Sequence, residues 1–120
     1  MFDNHATLPR WVRDTAQLLK DKAGQYVFIS TLSVYKDHSK IGVDESDPTA
    51  VLEDPTVEQV TGETYGGLKA LAEEEARKAF GSRATVIRPG LIVGPGDPTD
   101  RFTYWPVRIA RGGDVLAPGD

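Results

Sequence analysis

Apolar residues recur at helical spacing in some stretches and cluster in short unbroken runs in others, and the two patterns alternate along the chain. "LPRWVRDTAQLLKDKAG" predicts a helix over 9–22: Pro9 suits a first turn, Trp11, Val12, Leu18 and Leu19 share a face, and Gly24 is a stop. "QYVFIST", residues 25–31, is short and rich in aromatic and β-branched residues, the pattern of a strand buried on both faces. "KDHSKIGVDESDPTAVLEDPTVEQV" is polar and broken by Pro48 and Pro55, and it predicts a long surface loop. A second helix, from 57 or 62 to 80, carries an apolar stripe of Leu68, Leu71, Ala72, Ala76, Ala79 and Phe80. Glu73 with Arg77 and Glu74 with Lys78 are i,i+4 pairs assigned to its wet face, and Gly81 closes it. "RATVIRPGLIVGPGD", residues 83–97, predicts another buried strand running into a Gly/Pro turn, and a short helix follows near 106–111. Helix, strand, helix, strand, helix implies an α/β fold with parallel strands, right-handed crossovers and helices packed on the sheet. Sites in such sheets lie beyond the carboxyl ends of the strands. Here those ends are Ser30 and Thr31, and Pro89 to Gly96.

Composition narrows the chemistry. The absence of cysteine excludes disulfides, thiolate catalysis and zinc–cysteine sites, and no metal site is expected. A net charge of −4 argues against a nucleic-acid or anionic-membrane binder. Only His5 and His38 are available as imidazole bases, which leaves a Ser-His-Asp triad or a hydrolase at Ser30 or Ser33 without support. "MFDNHATLPRWVRD" lacks a signal-peptide layout and no apolar run is long enough to span a membrane, so a cytoplasmic location is the expectation.

Tyr65 and Lys69 fall four residues apart, on one face of the second helix, with Cβ atoms about 5–6 Å apart. A nearby ammonium favours a phenolate, and a tyrosine so placed can act as general acid or base. An incidental surface pair is the alternative. Thr31 offers a hydroxyl at a strand's carboxyl end, for a substrate oxygen or simply as a turn cap. Gly66 and Gly67 each cost the helix roughly 1 kcal/mol. Close approach of the cofactor or a neighbouring helix is the candidate reason.

Taken together, "FISTLSVY", "YGGLK" and "VIRPGLIVGPGD", in that order, resemble the extended short-chain dehydrogenase/reductase family, the NAD-dependent epimerase/dehydratase group. The resemblance runs from about residue 9 onward. It implies a partial Rossmann-like, doubly wound domain over 1–120, with a substrate-binding region beginning near 97. It implies Thr31, Tyr65 and Lys69 as catalytic residues, Tyr65 moving the proton while hydride passes between substrate carbon and nicotinamide. Ser30, Tyr65, Lys69, Pro89, Gly90 and Leu91 are implied on the cofactor side, and Ser33, Arg101 and Tyr104 on the substrate side. The cofactor would be NAD or NADP. The substrate would be a small hydroxyl or carbonyl compound, from sugar nucleotides to steroids, flavonoid-type carbonyls or aldehydes. The resemblance also implies a homodimer through residues 9–22 and 57–80, with no nucleic-acid or membrane partner.

Two departures stand out. The step from Thr31 to Tyr65 is 34 residues, long for the family, which suggests an enlarged loop over the site. No strand, Gly-rich turn and helix unit precedes these motifs, so the chain reads as the central piece of a longer enzyme, starting at the helix before the fourth strand. Weak or no NAD(H) binding by the 120 residues alone is the expectation, and a catalytically inert binding or scaffold fragment is the alternative function. Arg101 is either a clamp for an anionic group or a solvated surface charge.

Overall fold

The computed structural model describes residues 1–116, which form two compact units, 1–90 and from Leu91 on. The first unit holds a three-stranded parallel sheet in the order β1 (Phe2–Asp3), β2 (Tyr26–Ile29), β3 (Ala84–Ile87). Strand β1 is absent from the sequence reading, which starts the fold at the first helix. Two residues are too few to show a period of two. Its existence is carried by pairing, Phe2 opposite Val27 and Asp3 opposite Phe28.

Helix α1 (Pro9–Leu19) connects β1 to β2, and α2 (Tyr65–Phe80) lies between β2 and β3. They pack on each other and on one sheet face, around Val12, Ala16, Tyr26, Phe28, Ala72, Ala76 and Phe80. On α1 the buried stripe is Val12 and Ala16, at helical spacing, with Leu19 packed against it. Trp11 and Leu18, expected on that face, start one residue away in the helical wheel, and both are exposed. The helix ends at Leu19 rather than 22. There Arg83 donates to the carbonyls of Ala23 and Lys20 at 2.8 and 2.9 Å.

Helix α2 begins only at Tyr65. Thr61 and Thr64 cross-bond their hydroxyls and amides, and Thr64 donates to the Gln59 carbonyl at 2.6 Å, which holds the preceding residues in a turn. Gly81 ends the helix with φ +56°, a conformation that favours glycine. The strands stop earlier than the sequence predicts, at Ile29 and Ile87, which leaves Thr31 in a 3-10 turn (Leu32–Val34) as its N-cap. The long loop is pinned to that turn. Ala50 donates to the Val34 carbonyl at 2.7 Å and Lys36 to that of Pro48 at 3.0 Å.

In the second unit, helix α3 spans Tyr104–Ala110, so Pro106 lies inside its first turn and not at its start. Tyr104 and Trp105 stack edge to face, 5.2 Å apart. Among the described residues, no helix is long and apolar enough to cross a membrane.

Candidate active site

Beyond the carboxyl ends of the strands, backbone hydrogen bonds tie neighbouring segments together. Ser30 donates to the Ile87 carbonyl at 2.7 Å, and Leu32 to that of Pro89 at 2.9 Å. Thr31 and Ser33 are thereby set beside Pro89 and Gly90. The Thr31 hydroxyl accepts from the Ser33 amide at 3.1 Å and lies 3.2 Å from the Ser33 hydroxyl. The turn cap is therefore made, and the oxygen keeps bonding capacity in hand.

Gly66 joins α2 to this turn. A Cβ there would stand 2.1 Å from the Ser33 carbonyl oxygen, far inside contact distance. Only glycine lets the first turn of α2, with Tyr65 next in sequence, lie flat on the turn that carries Thr31 and Ser33. A Cβ on Gly67 would meet Leu52 of the long loop at 2.6 Å. The crowding neighbours are thus a turn and a loop of this chain, not the adjacent helix.

Tyr65 is half-buried, and among the described residues its hydroxyl makes no hydrogen bond. Lys69, one turn on, is only 5% exposed. Its ammonium donates to the Ala6 carbonyl at 2.9 Å and the Ile29 carbonyl at 2.8 Å, and sits 4.2 Å from the Phe28 ring centre. Burial pushes the ammonium below its ordinary pKa, opposed by the carboxylates of Asp3 and Glu73. An ammonium has three donors, so two are spent on the backbone and one remains.

Glu73 is corrected from wet face to core. It is 1% exposed and takes a two-pronged bond from Arg88, at 2.9 and 2.7 Å, besides the Arg77 bond at 3.2 Å. Burial alone would raise its pKa, yet the Arg88 bonds and the two guanidinium charges hold it below the ordinary carboxylate value. Arg88 also lies 4.7 Å over the Tyr35 ring. Ser30 is buried, its hydroxyl next to Glu73 without a hydrogen bond of ordinary geometry. Glu74 and Lys78 are exposed as expected.

Leu91, Arg101 and Tyr104 belong to the second unit. There Arg101 is exposed and bonds the Thr99 hydroxyl at 2.7 Å, and Tyr104 is exposed at the start of α3. The sequence reading missed Asp3, Ala6 and Arg88. The first two sit around a strand too short to detect. Arg88 follows "TVI" directly, and a cation at the end of an apolar strand run was the available signal.

The sequence matches, over residues 11–115, an NAD-binding family described as male sterility protein, of the extended short-chain dehydrogenase/reductase type. The chain belongs to this family. No curated protein and no solved structure matches it. Membership in this NAD-binding family implies a nicotinamide cofactor and agrees with the partial Rossmann-like sheet. The residues present fit one part of such a cofactor. Lys69 keeps one donor beyond its two backbone bonds, and the turn that carries Thr31 and Ser33 stands beside Pro89 and Gly90. They do not supply a pyrophosphate grip: among the described residues, no strand end carries a Gly-rich turn that opens a helix.

Proposed function

We propose that the chain carries the catalytic part of an oxidoreductase or epimerase, dependent on NAD or NADP, that acts on a hydroxyl or carbonyl compound. The bound nicotinamide supplies hydride donation or acceptance. Tyr65 passes a proton to or from the substrate oxygen. Lys69 stands one turn away, where its charge favours the anionic oxygen that proton transfer leaves, and its remaining donor holds a ribose hydroxyl. Thr31, with Ser33, orients the substrate oxygen.

The observation that supports this reading best is Lys69 itself. A buried ammonium fixed by two backbone carbonyls is costly unless its position matters. It lies on the same helix, one turn after Tyr65, and that helix is seated on the Thr31 turn through Gly66. The test is turnover of NADH or NADPH with a panel of aldehydes, ketones and secondary alcohols. Tyr65→Phe should lower it by about 10²-fold or more with the fold intact. Unchanged turnover in that variant contradicts the assignment. A second reading, a binding or scaffold module of the same fold without turnover, draws on the absence, among the described residues, of a Gly-rich turn that opens a helix. Turnover by the unmutated chain excludes it.

A further inference from the structure

Asp3 is 8% exposed on β1, opposite Phe28. A buried carboxylate is expensive unless its bonds are specific, and these are. One oxygen accepts from the Tyr26 hydroxyl at 2.5 Å. The other accepts from the Ala6 amide at 3.2 Å and the His5 amide at 3.4 Å, closing the turn that leaves β1. The Ala6 carbonyl in that turn receives the Lys69 ammonium at 2.9 Å. Burial, then the bond to Asp3, pushes the Tyr26 phenol well above its ordinary pKa, so it stays a donor.

The charges around Lys69 come from several elements. Asp3 is on β1. Glu73 is on α2 and is already shared between Arg88 and Arg77. Tyr65 is one turn earlier on α2, Tyr26 of β2 is bonded to Asp3, and His5 is exposed in the turn itself. Among the described residues Asp3 has no cation paired to it in direct contact, whereas Glu73 has two.

We propose that Asp3 is a positioning residue for Lys69: its carboxylate ties down the turn whose Ala6 carbonyl receives the ammonium, and it supplies the counter-charge that a buried ammonium needs. The relevance of this to catalysis rests on the nicotinamide-site reading of Lys69. The coupling between the two residues does not.

The experiment is an NMR titration of the cofactor-free chain labelled with ε-13C-lysine, the Lys69 signal being assigned with Lys69→Arg. Asp3→Asn keeps one oxygen for the Ala6 and His5 amides, sets an NH2 that donates to the phenol oxygen against Tyr26, and removes the charge. It should lower the Lys69 midpoint by about one pH unit, or tenfold in proton affinity, with the Ala6 amide still protected from exchange. Asp3→Ala should lower the midpoint and also expose that amide. A Lys69 midpoint unchanged in folded Asp3→Asn overturns the proposal. If neither variant folds, the unmutated chain decides: the Lys69 signal must step as the Asp3 carboxylate titrates, and no step overturns the proposal. Coupling present, with NADH leaving Lys69 unperturbed, supports the role of Asp3 and contradicts the functional reading.

Discussion

Gly66 has no room for a methyl group, because the Ser33 carbonyl oxygen would be 2.1 Å from it. Helix propensity alone would make alanine better by about 1 kcal/mol, but displacing a backbone carbonyl costs about 1–3 kcal/mol. Gly66→Ala should therefore lower stability in urea denaturation. Gly62→Ala, with nothing within 4 Å of its Cβ, should leave stability unchanged or raise it by up to about 1 kcal/mol. Equal effects at both positions would contradict the close approach. The glycine pair was visible in "YGGLK" as a cost without a benefit, but the benefit depends on a turn 33 residues earlier, which no local pattern reports. Tyr65 and Lys69 were legible because four residues define a shared helix face. What Lys69 bonds was not, since its partners are backbone carbonyls of Ala6 and Ile29.

Helix α2 is fixed to the end of β3 by Glu73 and Arg88, a buried pair read from the sequence as half of a surface pair. The i,i+4 spacing to Arg77 is real, at 3.2 Å, but spacing cannot say which side of the helix is covered. Glu73→Gln leaves Arg88 buried beside a neutral group and should cost about 3–5 kcal/mol in denaturant unfolding. Glu74→Gln, whose partner Lys78 is 3.9 Å away in solvent, should change stability little. The pH dependence follows from the lowered Glu73 pKa. The stabilisation is complete above the carboxyl's unfolded value, near 4.3, and is lost as pH falls through the lower folded value. The acid-side slope of stability against pH should be shallower in Glu73→Gln. The major helices and strands were legible from period and breakers. Some of their ends shifted where side chains bonded backbone, as at Thr61, Thr64 and Thr31.

For the molecule as a whole, α1 and α2 cover one face of the sheet, while Phe2, Thr85 and Ile87 alternate with the core positions and are exposed. The α/β class and parallel order were readable from alternation alone; the first strand was not. With no Gly-rich turn that opens a helix among the described residues, the 120-residue chain should bind NADH or NADPH far more weakly than micromolar by calorimetry. The outward side of α1 carries Trp11, 41% exposed, and Leu18, 66% exposed, apolar surface that the proposed homodimer through α1 and α2 would cover. Sedimentation should show concentration-dependent dimers, and a strict monomer at high concentration contradicts that interface. The most direct test of the nicotinamide site is an NMR titration of the 15N-labelled chain with millimolar NADH and, separately, NADPH. At least one should shift the amides of Thr31, Ser33, Tyr65, Lys69 and Gly90 together, with Lys69→Met weakening the response. Amides that stay still at these positions, or move only elsewhere, would show that the site is not where Tyr65 and Lys69 put it.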